Sequence, residues 1–207
     1  MTESPPKALR ADAQRNHHRI VAAARAAIEE FGAAAQMDDI ARRAGVAMAT
    51  IYRRFAGRDD LVCAVFDQFF AAEVEPIVAG ATTEPDAWHG LVQALQDTVA
   101  TLVANEALLL AARDAGALTP DVVARYLRPL GPVLRRAQED GAVRPDLTPA
   151  DLPVLVSMVV TTVSAASNPF PLPGPRTGWR RYLAVLLDGL RAGAGAAALP
   201  DAEPSPN

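Results

Sequence analysis

The sequence predicts an all-α protein: a small N-terminal three-helix module, then a larger helical domain, about nine helices in all. Three observations carry that expectation. Half of the 207 residues are apolar while only 5% are aromatic, and Ala, Leu and Val outnumber Ile, Tyr and Phe, a balance that favours helices over strands. Apolar positions recur at three- and four-residue spacing in one segment after another. Helix-start chemistry, a Thr or Asn followed by Pro or an acid, punctuates the second half.

Residues 1–12 contain Pro5, Pro6 and few apolar anchors, and read as a flexible arm made basic by Lys7 and Arg10. From residue 13 to 31, Ile20, Ala24, Ala27, Ile28 and Phe31 fall on one helical face, and Gly32 stops the helix in the C′ position. Met37–Ala44 is a second, short helix with Met37, Ile40, Ala41 and Ala44 inward. Gly45 then supplies a left-handed turn, Val46 plugs the angle, and a third short helix runs over 48–55. Two short helices joined by such a turn make a helix-turn-helix, so 13–60 is expected to be a DNA-binding domain.

A fourth helix opens at Arg58 with Leu61, Val62, Val65, Phe66, Phe69 and Phe70 on a broad apolar face, and is expected to end near Glu75 because Pro76 disfavours helical geometry before it. Residues 61–196 form the expected regulatory and dimerisation domain. Its helix starts are marked by Thr83 with Pro85 and Asp86, Asn105 with Glu106, Thr119 with Pro120, and Thr148 with Pro149 and Asp151. Helices are expected over 85–103, 106–114, 120–140, 149–166 and 177–193, the third kinked at Pro129 and Pro132. Residues 167–175 read as a proline-stiffened loop and 197–207 as a disordered tail.

The net charge of −4 hides an asymmetry. Residues 1–60 carry ten basic and eight acidic side chains, a net of +2, and the rest carry ten and sixteen, a net of −6. Within 40–58, Arg42, Arg43, Arg53, Arg54 and Arg58 stand with no acid among them, the footprint of a DNA-binding patch on an acidic protein. That cluster also argues against a helical adaptor that binds only protein. The N-terminus has no signal-peptide h-region, one cysteine cannot build a disulfide framework, and the apolar run 152–166 is short and interrupted by Pro153 and hydroxyl residues. A cytoplasmic protein with no membrane partner is expected. Cys63, beside Val62, reads as a small buried hydrophobe rather than a redox sensor. Three histidines, no Gly-rich phosphate loop and no nucleophile motif leave no enzyme signature and no cofactor or metal. An all-α enzyme or di-metal bundle is the rival class, but Asp86 and His89, spaced i, i+3, have no second pair and read as a helix cap.

The stretch RIVAAARAAIEEFG, then MDDIARRAGVAMATIYRRFAGRDDLVCAVF, resembles the TetR family of bacterial regulators over roughly residues 15–66. The elements that carry the likeness are an apolar helix ending in FG, an IAxxAGV segment, a TxYxxF core and a basic residue opening the fourth helix. The resemblance implies that Tyr52, Arg54 and Arg58 contact phosphates and that Thr50 lies near the groove. This sequence departs from the family pattern with Gln36 before the second helix, Ala47 at the cap of the third, Ala49 where Gly is common and Arg54 where His is common.

In a helix-turn-helix the second helix presents its leading residues to base edges. Here those are Ala47, Met48 and Ala49, which offer only apolar contact to thymine methyl groups, so specificity is expected to be modest there and Thr50, Tyr52, Arg53, Arg54 and Arg58 to supply positioning. For the larger domain, Phe66, Phe70, Trp88, His89, Tyr126 and Met158 are expected to line a pocket for a small apolar or aromatic effector. Leu155, Val159, Trp179, Leu183, Leu186, Leu187 and Leu190 are expected to form a four-helix homodimer interface. Together these residues suggest a homodimeric repressor of a palindromic double-stranded operator.

Overall fold

The computed structural model describes residues 7–163, 178–193 and 197–200, apart from the side chains of 7–13 and 163. Its packing divides the chain into two units, Met1–Ala72 with Asn105–Pro120, and Glu73–Ala104 with Asp121–Asn207. No strand occurs among the described residues, only an isolated bridge between Val143 and Arg191.

The first unit contains α1 (Lys7–Phe31), a 3-10 turn over Gly32–Ala34, α2 (Met37–Ala44), α3 (Met48–Tyr52) and α4 (Arg58–Phe69), joined by α7 (Glu106–Asp114). α1 packs on α2, α4 and α7. Its apolar face, Ile20, Ala24, Ala27 and Ile28, is buried, as are Ile40 and Ala41 of α2, Ile51 and Phe55, and the Leu61, Val62, Val65, Phe66 face of α4. α1 starts at Lys7, six residues before the expected start. The six added residues, 7–12, include Ala8, Leu9 and Ala11, strong helix formers that extend an already nucleated helix. α3 ends at Tyr52, sooner than expected, and Arg53 to Phe55 close in tight turns onto the carbonyls of Ala49 and Ile51.

The fourth helix does not stop at Glu75. α4 gives way to a π turn over Phe70–Val74, and α5 (Glu75–Gly80) follows with Pro76 in its first turn. A proline clashes with the carbonyl four residues earlier and lacks an N–H. The wider π turn relieves both problems, so the chain stays helical. With α4 and α5 counted as one broken helix, the described residues hold the nine helices the sequence predicts.

In the second unit α6 (Ala87–Ala104) packs on α5, on the 3-10 turn Ala81–Thr83, and on α9 (Asp151–Val163) and α10 (Trp179–Gly189). Leu91, Ala94, Leu95 and Val99 of α6 are buried with Leu152, Val156 and Val159 of α9. α8 (Pro120–Glu139) stays helical through Pro129 and Pro132 and buries Tyr126, Leu130, Val133 and Leu134. Gly90 is required where α6 meets the preceding turn, because a Cβ there would lie 3.0 Å from the Ala81 carbonyl oxygen.

The cap residues divide. The Asp86 carboxylate accepts from the His89 N–H at 2.9 Å, and Asp151 accepts from the Thr148 N–H and hydroxyl at 2.7 and 2.8 Å. Asn105 makes no side-chain cap bond; its Oδ1 accepts instead from Arg25 of α1 at 3.2 Å. Thr83 turns back to the Gly80 carbonyl. Residues 1–6 of the expected arm, the loop 167–175, the end of the 149–166 helix and residues 201–207 lie outside the described residues. No described helix is long and apolar enough to cross a membrane.

Candidate nucleic-acid interface

α2 ends at Gly45, whose φ of 61° is left-handed. The Gly45 N–H bonds the Arg42 carbonyl at 3.2 Å and the Val46 N–H bonds that of Ala41 at 3.1 Å, so the two carbonyls left over at the helix end are satisfied while the chain reverses. α1 reinforces this turn. The Arg19 guanidinium donates to the carbonyl oxygens of Ala44, at 2.5 Å, and Gly45, at 3.4 Å, setting a cation at the negative end of α2. Arg43 pairs with Glu30 and lies 5.4 Å from the Phe31 ring. Arg42 pairs with Asp39 from an exposed position, a surface contact of little weight.

α3 is anchored by Ile51, fully buried, and by Phe55 just beyond its end. The opposite face is open. Ala47, Ala49, Arg53 and Arg54 are exposed, Met48 and Thr50 half-buried, and Tyr52 is 54% exposed. The ring of Tyr52 therefore stands away from the core. Ala47 is the N-cap residue of α3 and Gln36, exposed, that of α2; neither makes a side-chain cap bond. The structure thus gathers Gln36, Ala47, Met48, Ala49, Thr50, Tyr52, Arg53 and Arg54 on the two helix starts and the open face of α3. Arg58 is turned differently. Its Nη2 reaches the Ala33 carbonyl at 3.3 Å and its Nε the Ala35 carbonyl at 3.5 Å, fastening the link between α1 and α2.

A notch of about 290 Å³ opens beside α3, lined by Asn16 and Ile20 of α1 and by Thr50, Arg53 and Arg54. Beside it the Arg54 Nε donates to His17 Nδ1 at 3.2 Å. Burial, then the nearby Arg54 and His18, lower the His17 pKa. Asn16, His17 and Arg19 were not among the sequence candidates. They sit just ahead of Ile20, where the polar run reaches the end of the helix that abuts the helix-turn-helix, and His17, seven residues before Ala24, puts a polar ring on the apolar stripe itself; that mismatch is the signal that singles it out.

The expected effector residues do not gather within either unit. Phe66 and Phe70 are buried in the first, where their rings lie 6.0 Å apart. In the second, Trp88 is half-buried under the Arg191 guanidinium, 4.9 Å away, and Met158 is 51% exposed. His89 is exposed on a cleft of about 480 Å³ whose lining includes Glu84, Gln93 and Asp97, a polar surface rather than an apolar pocket. Tyr126 is buried, and its hydroxyl and that of Thr98 have no hydrogen-bond partner of good geometry. Burial pushes the Tyr126 phenol up to about 12, with Thr98 offsetting this in part.

Of the expected dimer residues, Val159, Trp179, Leu183, Leu187 and Leu190 are buried within the protomer, and Leu155 and Leu186 half-buried. α10 spends its apolar stripe on its own α9 and α6. Among the described residues, the large apolar side chains left open on these two helices are Val154, Met158, Tyr182 and, 66% exposed, Val185. Cys63 is half-buried, its thiol donating to the Ala115 carbonyl at 3.5 Å, with its pKa raised by burial and then by Asp60 and Asp59. No cluster of three or more metal-ligating side chains occurs among the described residues.

Two family models match the chain. One, described as bacterial regulatory proteins, tetR family, covers residues 20–65. The other, described as transcriptional regulator SbtR-like, C-terminal domain, covers residues 91–192. Among solved structures, the TetR transcription regulatory protein from Mycobacterium vanbaalenii is 30% identical, over 88% of this chain and 99% of its own, with a TM-score of 0.54. A TetR transcriptional regulator from Streptomyces coelicolor is 26% identical over 86% and 99%, with a TM-score of 0.59. A TetR-family transcriptional regulator from Pectobacterium atrosepticum, 22% identical over 89% and 98%, shares the fold with a TM-score of 0.68. No curated protein matches the chain.

Proposed function

The chain belongs to the TetR family of bacterial transcriptional regulators, and from that premise we propose that it is a homodimeric repressor, released from a palindromic operator by a small-molecule effector. The observation that carries the reading is the open face of α3, cationic at its end and held against α1 and α2 by Ile51, Phe55 and the Gly45 turn. Tyr52, Arg53 and Arg54 meet phosphates, with the Gln36 amide beside them, and fix the register of the head on the duplex. Ala47, Met48 and Ala49 lie against base edges, where apolar side chains touch thymine methyl groups, and Thr50 lies at the groove wall. Arg58 supports this surface through the 33–35 backbone. Residues 13–60 carry the DNA contacts and 61–196 the regulation, and the protein works in the cytoplasm without catalysis.

Two heads on a palindrome must stand one helical turn apart, about 34–36 Å. A second copy covers Val154, Met158, Tyr182 and Val185, the apolar side chains that α9 and α10 leave open, together with Leu155 and Leu186. Val185→Glu puts a charge on that surface, and light scattering is expected to report monomers. An effector that prefers another spacing of the heads weakens operator binding by linkage, typically by about 5- to 150-fold. The buried Tyr126 and Thr98 hydroxyls, without a partner of good geometry, support a mostly apolar effector oriented by one or two polar contacts. Selection of bound duplexes from random DNA, repeated with a panel of apolar and aromatic metabolites, tests the reading. A palindrome that is enriched alone and lost with one metabolite is the expected result; no enriched palindrome overturns it.

A further inference from the structure

We propose that His17 is a positioning residue of the DNA-reading head: it accepts a hydrogen bond from the Arg54 Nε, so that the terminal guanidinium nitrogens meet a DNA phosphate in the notch between α1 and α3. The inference rests on the reading that Arg54 contacts phosphate. Arg54 lies two residues beyond the end of a five-residue helix, and a long side chain there has many rotamers to lose when it binds. His17 removes part of that freedom beforehand. Its ring is itself fixed, stacked on Phe55 at 5.4 Å between centroids with the planes 24° apart, and Phe55 is buried.

The bond at 3.2 Å places Nδ1 as the acceptor, so the proton of the neutral ring sits on Nε2. Burial and the adjacent Arg54 both favour that uncharged form. Because Nε is the atom engaged, four of the five guanidinium donors remain on the two terminal nitrogens. Those are the atoms that form paired bonds to a phosphate. The notch they border is lined by Asn16, Thr50 and Arg53 together with the apolar Ile20, and no carboxylate is among its lining residues, so an anion there meets no charge of its own sign. Position 17 falls on the apolar stripe of α1, seven residues before Ala24, where packing on Phe55 asks only for a ring; the ring nitrogen adds the acceptor that holds an arginine by its Nε.

Two substitutions separate the acceptor from the ring. His17→Phe keeps a ring to stack on Phe55 and lacks the acceptor; His17→Asn keeps an acceptor oxygen near the Nδ1 position and lacks the ring. Binding is measured with the full-length protein and a mixed-sequence duplex of about three helical turns at low salt, since phosphate contacts are independent of sequence. His17→Phe is expected to bind about 2- to 10-fold more weakly, the worth of one hydrogen bond, with unchanged thermal unfolding. His17→Asn is expected to recover most of the loss. Added to Arg54→Ala, His17→Phe is expected to weaken binding no further. Parental affinity in His17→Phe, or a loss that multiplies in full with that of Arg54→Ala, overturns the proposal. If Arg54→Ala alone leaves affinity unchanged, the phosphate reading of Arg54 fails first and takes this one with it.

Discussion

Long-range arginine staples and local carboxylates close helix ends in both units, as Asp60 of α4 accepting from the Ala56 N–H shows in the first, but their weight differs. In the first, arginines from one helix reach the backbone of another: Arg19 the carbonyls at the end of α2, Arg58 those of residues 33 and 35. In the second, local carboxylates close two helix starts, Asp86 just before α6 and Asp151 as the first residue of α9, with one arginine, Arg136 of α8, on the Glu84 and Pro85 carbonyls ahead of α6. The interior there is apolar enough to leave the Thr98 and Tyr126 hydroxyls without a partner of good geometry. The difference follows from element length. α2 and α3, of eight and five residues, cannot stand as helices alone, and so small a core gives them few apolar anchors. Long-range polar staples supply the geometry that burial cannot. α6 and α8, of eighteen and twenty residues, are long enough to be set mainly by the apolar side chains they bury.

The contrast is open to direct test. The largest effect is expected from Ile51→Ala, which removes the one buried side chain of α3 and should cost about 2–5 kcal/mol. Hydrogen exchange should show the loss in α2 and α3 and leave α6 protected; a uniform loss across both units would erase the distinction. Gly45→Ala comes next. It forces a Cβ into a left-handed conformation 3.0 Å from the Arg19 guanidinium, so about 1–2 kcal/mol is expected, again confined to the first unit, with DNA affinity falling alongside. Denaturant titration of both activities checks whether the turn and the reading head fail together.

The smallest effect sharpens the other side. Tyr126→Phe deletes a buried hydroxyl without a partner of good geometry, so stability at neutral pH is expected to hold or to rise by about 1 kcal/mol. The parent, in contrast, should lose stability in alkali. Its folded phenol titrates at about 12 and the unfolded one at 10, so the unfolded state gives up its proton first. The contribution is whole below pH 10 and is lost between 10 and about 12, with the slope of a single proton. The difference between parent and variant across that window isolates Tyr126.

What was legible in the sequence divides along the same line. The helix-turn-helix could be read because its determinants are local: Gly45 needs φ > 0, and Ile40, Ala41, Ala44 and Ile51 mark the buried side by spacing alone. The arginine staples could not, since a guanidinium that bonds a backbone carbonyl has no partner residue type to reveal it. Arg58 shows this, read as a phosphate ligand and found on the 33–35 backbone. Pro76 was visible as a disturbance, but a stop and a π turn leave the same trace in sequence. The stripe of Trp179, Leu183, Leu187 and Leu190 was also visible. Periodicity states that a helix face is covered and says nothing of whether the same chain or a second copy covers it.

A last feature of the second unit concerns the far end of the described chain. The isolated bridge of Val143 and Arg191 is continued by the Arg144 N–H on the Leu190 carbonyl and the Ala192 N–H on that of Ala142. Arg144 forks onto both oxygens of Asp146 and donates to the Ala197 carbonyl, while Asp146 accepts from the Leu199 N–H. These contacts hold the Asp146 carboxyl well below the usual range. The segment after α10 is therefore a seam sewn to the loop after α8. Truncating the chain ahead of residue 197 would unpick it from the end, and a fusion partner joined beyond residue 200 leaves every one of its stitches in place.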